Sequence, residues 1–466
     1  MKVLLVASEA APIIKLGGLG DVTGSLPKAL EKLGINQDVI VPYFPIAKFS
    51  DKVFKSFDVS VPFNGAIENV EVFKTKLPSS NVDVFLLKCD KYFVKGGTNA
   101  FANSISETEM FSFFSRAVVE FIKSEFNTYD VIHCNDWHTG LITHILQDEL
   151  GAERPKTLFT IHNLMYQGVG DAKVVREVGI VPGEHPLIDW DIADGDLNLM
   201  QQGVTSADWI NTVSPTYAKE ILTEEFGGTL ADVLKSREGR LVGILNGIDT
   251  DAFARFNDVS DWRKQKSTAK LNLQKKLNLN QDASKPLYTF ISRLDPNQKG
   301  LNIIVELIPE IIARGGQFVL LGTGAKDWEE KFKAAEGVGT SRNHDISINI
   351  MFDAKFAEEL YAASDFLLAP SRYEPCGLIQ MIAMWYGSLP IVHGVGGLKD
   401  SVTNGVNGFV FDDYSPESAI KSLTSSIKVY GSKEYEQMVD NALRADFSWE
   451  KSAKEYVKLY EKLLED

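Results

Sequence analysis

Short apolar runs alternate with longer stretches of helical spacing along this chain, and the alternation starts twice. KVLLVA (2–7) is continuously apolar, as in a parallel strand covered on both faces. Lys15-Leu16-Gly17-Gly18-Leu19-Gly20 follows, then DVTGSLPKALEKLG, whose apolar positions recur at helical spacing and stop at Gly34. QDVIVPY (37–43) supplies a second strand. Strand, glycine loop, helix and strand in that order open a doubly wound sheet. Between 51 and 100, FKSFDVSVPF, VEVFKTKL and VDVFLLKC alternate with turn residues, which predicts antiparallel strands added near a sheet edge. MFSFFSRAVVEFIKSEF and TGLITHILQDEL predict helices, and YDVIHC and KTLFTIH buried strands. HPLIDWDIADGDLNLM (185–200) predicts a loop running into a helix, ADWINTVSP a strand, and TYAKEILTEEF the helix after it.

The pattern ends near LVGILNGID (241–249), where charged sequence without periodicity follows (RFNDVSDWRKQKS). From Pro286 it restarts, with strands PLYTFIS, QFVLLG, SINIMF, DFLLAPS, PIVHG and GFVF and helices between them. The expected class is α/β, two Rossmann-like doubly wound domains over residues 1–245 and 246–446. Residues 447–466 carry a last helix, WEKSAKEYVKLYEKLL, that can return to the first domain. One local echo links the halves: Gly17-Gly18-Leu19-Gly20-Asp21 against Gly396-Gly397-Leu398-Lys399-Asp400.

At 466 residues the chain exceeds what one hydrophobic core supports, in keeping with two domains. A net charge of -15 argues against nucleic acid and anionic membrane as partners, so any phosphate site must be a local positive pocket. Cys89, Cys134 and Cys376 form no CxxC, which predicts reduced thiols, no disulfide framework and no zinc site. The opening apolar run is cut by Glu9 and suits a strand better than a secretory signal. No apolar run approaches the ~18–20 residues of a membrane span. A soluble, cytoplasmic protein is expected.

In open α/β sheets, ligands bind at the carboxyl ends of strands. ISRLDPNQKG (291–300) lies between a strand and a helix, and Arg293 and Lys299 flank its turn. Two cations beside a helix N-terminus make a place for a diphosphate, or are two solvated charges on a surface turn. The glycine loop at 15–20 is neither GxGxxG nor a P-loop, yet glycines permit close backbone approach and Lys15 can reach a phosphate. GTGAKD at Gly322 carries Asp327 where a dinucleotide loop needs a small residue. Asn135-Asp136-Trp137-His138 and Asn163 stand at other strand ends. His133, Asp136 and His138 lack a fourth ligand nearby, so a metal reading is weak.

These segments closely resemble the bacterial glycogen synthases and plant starch synthases, retaining glucosyltransferases of the GT-B fold. The resemblance is carried nearly end to end by KLGGLGDVTGSLPKAL, HCNDWHTGL, FTIHNLMYQG, SADWINTVSPTYAKEI, GILNGID, SRLDPNQKGL, LLGTG and PSRYEPCGLIQMIAMWYG. It implies two Rossmann-like domains facing across a cleft, with the terminal helix crossing back. It implies transfer of glucose from ADP-glucose to the non-reducing 4-hydroxyl of an α-1,4-glucan with retention, the donor held mainly by the second domain. A UDP-glucose donor is the alternative, as is a catalytically silent binding protein on the same fold. Lys15, Arg293 and Lys299 match the family's phosphate-binding cations, and Glu374 the carboxylate that holds donor-sugar hydroxyls. His162 and Asn163 match residues lining the donor sugar and acceptor cleft, and Asp136, Trp137 and His138 residues on the acceptor side. Asn246 matches the sugar-facing residue of the NGID turn. Gly17, Gly18, Cys376, Gly377, Leu378 and Ile379 match the family's segments around the pyrophosphate, and Phe352 the aromatic on the nucleobase.

The chemistry suits these residue types. Departure of a nucleoside diphosphate builds negative charge, so cations bind the transition state more strongly than the ground state. Three cations and a helix N-terminus can replace a divalent metal, and the resemblance implies no cofactor and a metal-independent reaction. A pyridoxal-phosphate phosphorylase and a nicotinamide oxidoreductase share the sheet type; the missing GxGxxG disfavours the latter. Four departures from the family pattern stand out: Pro296 lengthens the turn, Ile379 replaces a common Thr, Phe352 a common Tyr, and the segment after Lys91 differs.

Overall fold

β1 (Lys2–Val6) has four residues with no solvent exposure, Val3 to Val6, because it lies inside a sheet covered on both faces. The chain is described here by a computed structural model over residues 1–94, 105–125, 128–253, 259–337 and 344–466. It divides into two units. The first comprises Met1–Val213, Ala218–Gly247 and Trp449–Asp466; the second comprises Ser214–Tyr217 and Ile248–Ser448.

In the first unit, β1 is followed by β2 (Asn36–Pro42), β3 (Phe54–Phe63), β4 (Ala66–Lys76), β5 (Asp83–Lys88), β6 (Val131–Asn135) and β7 (Lys156–Ile161). β8 (Val169–Asp171) and β9 (Asp196–Asn198) form a separate antiparallel pair, and β10 (Trp209–Thr212) and β11 (Leu241–Gly243) complete the set. The nine-stranded sheet runs β11-β10-β7-β6-β1-β2-β5-β4-β3. Its strands are parallel except at the end, where β4 pairs antiparallel with both β3 and β5. That is the edge addition the alternating sequence predicts. Val59, Val61 and Phe63 are the buried alternate residues of β3, and the helix Glu107–Ser124 packs on this strand.

The helix Trp449–Glu465 belongs to this unit. Its Tyr456 and Tyr460 are fully buried; Asn211 Nδ2 donates to Tyr456 Oη at 3.1 Å, and Tyr460 Oη lies 2.8 Å from His133 Nδ1. Among the described residues no helix is long and apolar enough to cross a membrane.

The second unit has a parallel six-stranded sheet of β12 (Leu287–Ile291), β13 (Gln317–Gly322), β14 (Ile346–Ile350), β15 (Phe366–Ala369), β16 (Leu389–His393) and β17 (Phe409–Phe411). Their order is β14-β13-β12-β15-β16-β17. In both sheets the strand order reverses beside the first strand, between β1 and β6 and between β12 and β15. Such reversals leave crevices at the carboxyl ends of the strands, where ligands bind.

Three sequence readings change. The charged stretch at 255–267 holds a helix, Trp262–Lys276, whose buried positions are Trp262, Lys266, Lys270, Leu273 and Gln274. The spacing is helical, but lysines occupy two inward positions, so no apolar stripe shows; residues 255–258 lie outside the described residues. Residues 185–200 form a short helix, Pro186–Asp191, then β9, then the start of the helix Leu199–Ser206. TYAKEILTEEF is broken: Pro215–Glu220 ends in a turn, Thr223 is extended, and Glu224–Gly227 is a separate helical turn. Much of the divergent segment after Lys91, residues 95–104, lies outside the described residues.

Candidate active site

In the second unit, the turn after β12 is laced to the end of β13. Leu294 N donates to Thr323 O at 2.9 Å and Ala325 N to Leu294 O at 3.0 Å. Glycine is required for that approach: a Cβ on Gly322 would stand 2.0 Å from Ser292 O. Lys299 N then donates to Asp295 O at 2.9 Å, and the helix Leu301–Ala313 begins two residues beyond Lys299. Gly300 between them has φ +66°, and a Cβ there would lie 2.0 Å from Pro370 O at the end of β15.

This contact of two strand ends puts the side chains together. Lys299 Nζ lies 2.7 Å from Glu374 Oε2, and Ser371 Oγ donates to the same oxygen at 2.8 Å. The lysine and carboxylate side chains are only 14% and 9% exposed. Arg293 is exposed, and among the described residues no carboxylate pairs with it. A buried cation–carboxylate pair and an unpaired guanidinium on the same turn suit an anionic ligand at the carboxyl ends of β12 and β15.

The segment after Glu374 is seated on the second glycine pair. Gly397 N donates to Glu374 O at 3.1 Å. A Cβ on Gly396 would meet Glu374 O at 1.9 Å, and one on Gly397 would meet Cys376 O at 2.1 Å. Gly396-Gly397 is therefore a support for the Glu374 turn, which gives the echo of Gly17-Gly18 a packing role here. Cys376 is buried, Gly377 has φ +71°, and Leu378 precedes the helix Ile379–Trp385, whose first amides receive no side-chain cap. Phe352, just beyond β14, is 86% exposed.

In the first unit, Lys15 is exposed and forms an ion pair with Asp21 at 2.7 Å. Gly17 caps the helix Gly18–Lys32; its amide donates to Glu9 Oε2 at 2.9 Å, and the Leu16 amide donates to the same atom. Around Gly18 the space a Cβ would take is open, whereas one on Gly20 would strike Glu9 Oε2 at 2.8 Å. Glu9 thus shapes the glycine loop, and sequence reasoning missed it. Its burial, which raises its pKa, outweighs those amides. The only signal was a carboxylate beside an apolar strand and a few residues before glycines.

Asp136 follows β6 with φ +62°, a strained conformation for a non-glycine residue. Burial pushes its carboxyl up to about 8, opposed by the amides of His162, Asn163 and Trp137. His162 Nε2 lies 2.9 Å from Asn135 Oδ1, and burial pushes this imidazole down to about 3. Trp137 and His138 stack with ring centres 4.1 Å apart, Phe111 meets both edge-on, and the Gly168 backbone lies against the indole. His138 is also pushed down to about 3 by burial. Asn163 Oδ1 accepts from Met165 N at 3.1 Å, while Asn246 is buried and its Oδ1 has no partner among the described residues. His133 turns away from Asp136 toward Tyr460 and Thr160, and among the described residues no three His, Cys, Asp or Glu side chains gather as metal ligands.

The structure brings Lys299 together with Glu374 in one unit, and Asp136 with His162 in the other. Lys15 is held by Asp21 rather than by either group.

Comparison with known proteins agrees over the whole length. Residues 2–236 match the family described as starch synthase catalytic domain, and residues 272–445 match glycosyl transferases group 1. The chain is 40% identical to a glycogen synthase of Thermosipho melanesiensis, covering 100% of this chain and 99% of the relative. It is 39% identical to a glycogen synthase of Clostridioides difficile, covering 99% of each. The catalytic domain of starch synthase IV from Arabidopsis thaliana, solved with ADP and acarbose, superposes with a TM-score of 0.89 at 30% identity over 100% of this chain and 99% of that one. A sucrose-phosphate synthase from Thermosynechococcus elongatus, at 18% identity and TM-score 0.62, shares the fold.

Proposed function

The chain belongs to the glycogen synthase and starch synthase family and is a glucan glucosyltransferase; on that premise we propose that it moves glucose from ADP-glucose to the non-reducing 4-hydroxyl of an α-1,4-glucan with retention. The observation that carries this reading is the Lys299–Glu374–Ser371 cluster beside unpaired Arg293, at the carboxyl ends of β12 and β15 where the strand order reverses. ADP is the favoured carrier because the starch synthase IV neighbour was solved with ADP bound.

Arg293 and Lys299 bind the diphosphate and stabilise the charge that grows on it as the glycosidic bond breaks. Lys15, paired with Asp21 within its own unit, is a phosphate-binding cation on the strength of the family resemblance. Glu374, oriented by Lys299 and Ser371, accepts from hydroxyls of the donor glucose. Phe352 offers an exposed ring for the nucleobase. Asp136, His162, Trp137, His138, Asn163 and Asn246 serve the sugars. Gly377, Leu378 and Ile379 supply backbone for the phosphates beside buried Cys376, and Gly17 and Gly18 match family positions of the same kind in the first unit.

A two-carboxylate double displacement needs an ionised nucleophile. Burial raises the Asp136 carboxyl, which disfavours it as an ionised nucleophile and suits a front-face reaction in which the departing phosphate takes the acceptor proton. The reaction is metal-independent in this reading, since protein cations take the leaving-group charge. Three buried free cysteines suit a reducing cytoplasm.

Incubation with glycogen and radiolabelled ADP-glucose or UDP-glucose, with and without EDTA, tests these statements together. We expect label in the glucan from ADP-glucose, unaffected by chelation. Incorporation from UDP-glucose alone overturns the donor, loss with EDTA overturns metal independence, and incorporation from neither sinks the transferase.

A further inference from the structure

A cavity of about 430 Å³ lies in the second unit, lined by the helix Trp262–Lys276, the segment 283–284 just before β12, Asp365 just before β15, and residues 430–436. It sits at the amino ends of β12 and β15, whereas Arg293 and Glu374 follow their carboxyl ends, so a strand length of roughly 17 Å separates the two sites. Its volume is in the range of small-molecule pockets.

The charges facing this cavity do not balance. Lys270 Nζ lies 2.6 Å from Asp365 Oδ2 and is saturated by Ala283 O, Lys285 O and Tyr430 Oη. Asp365 also accepts from Leu287 N at 2.8 Å and from Tyr435 Oη at 3.3 Å. Arg263 at the rim is held by both oxygens of Glu436. Lys266 is left over. It is 3% exposed, and among the described residues its Nζ makes one hydrogen bond, to Tyr386 O at 3.2 Å, with no carboxylate of its own. An ammonium has three donors. Burying one with a single acceptor beside a second lysine is costly unless an anion joins it. Burial pushes the Lys266 amine down to about 7, which registers the same deficit.

We propose that this cavity binds a small organic molecule through one oxyanion head group, phosphoryl or carboxyl, seated on Lys266. Ser267 lines the same space and offers a hydroxyl donor, whereas the Ser284 hydroxyl is already given to Asp282 at 2.6 Å; Trp262 and Tyr430 supply aromatic walls for the body of the molecule. The anion supplies the charge that Asp365 alone cannot, since Asp365 is already shared with Lys270 and Tyr435.

The test is calorimetric titration of the full chain at pH 7, with ADP present to fill the diphosphate cations, using glycerol 3-phosphate and, separately, lactate. Saturable one-to-one binding of either is expected, and the one that binds identifies the head group as phosphoryl or carboxyl. Lys266→Met should weaken that binding at least tenfold and leave ADP affinity unchanged. No saturable binding of either probe overturns the proposal, as does equal affinity in the variant. A measurement on the unaltered chain stands beside it. NMR titration of the Lys266 Cε signal should show its midpoint raised by at least one pH unit when the probe is added, and an unmoved midpoint is fatal.

Discussion

Replacing Lys299 by methionine removes the ammonium and keeps most of the side-chain volume. Two effects separate. In the resting protein, Glu374 loses its ion pair with Lys299 and keeps the Ser371 hydroxyl at 2.8 Å. Breaking a fully buried pair costs about 3–5 kcal/mol, and residual exposure of both side chains brings the expectation to about 1–3 kcal/mol. In the transition state, the loss is one unit charge against the departing diphosphate, worth roughly 4 kcal/mol at 4 Å and an effective dielectric near 20. At about 1.4 kcal/mol per tenfold, kcat should fall by about 10² to 10³. The assay is initial-rate incorporation of glucose from ADP-glucose into glycogen, with circular dichroism to confirm folding. Glu374→Gln in the same background should recover part of the stability, by removing the stranded charge, and none of the turnover. A folded Lys299→Met protein within tenfold of wild-type turnover would refute the placement of the diphosphate.

Gly300→Ala should lower activity and thermal stability together, because the added Cβ would stand 2.0 Å from Pro370 O at a φ of +66°; a neutral substitution contradicts the close approach of the two strand ends. Phe352→Ala should raise KM for ADP-glucose about tenfold, the loss of one stacked base at ~1–3 kcal/mol, with no change in melting temperature because the ring is 86% exposed; an unchanged KM removes it from the nucleobase site. His133, His138 and His162 are all held neutral, pushed down to about 3 by burial. Their folded values lie below the unfolded one, so the unfolded chain binds more protons between pH 6.5 and 3 and stability falls with pH across that window. The three histidines together contribute at most about 4 kcal/mol per pH unit, offset in part by Asp136, whose raised carboxyl acts in the opposite sense. Denaturant midpoints at pH 7 and pH 5 measure it, and equal midpoints contradict it.

What the sequence disclosed was whatever depended on local order. KVLLVA and PLYTFIS reveal buried parallel strands because both faces are covered, so the runs are continuously apolar. Arg293 and Lys299 were legible from their place between a strand and a helix. The partner of Lys299 was not, since Glu374 lies 75 residues away and reaches it only because β12 and β15 are neighbours in the sheet. The hold of Glu9 on the Leu16 and Gly17 amides was hidden for a similar reason: a carboxylate in a loop has no periodicity to betray it. The helix Trp262–Lys276 escaped because Lys266 and Lys270 fill positions where a helix usually presents apolar residues to the core. Buried charge erased the stripe that periodicity detects, and the same lysines are what make the cavity beside them unusual.

The central claim is that Arg293 and Lys299 grip the diphosphate of the donor. The most direct measurement is the affinity of ADP relative to AMP, by calorimetry, in the wild-type chain and in Arg293→Ala. The account predicts that the unaltered protein favours ADP at least tenfold and that the variant loses most of that preference while AMP binding holds. A variant that keeps the full preference, or that weakens both nucleotides alike, would contradict it.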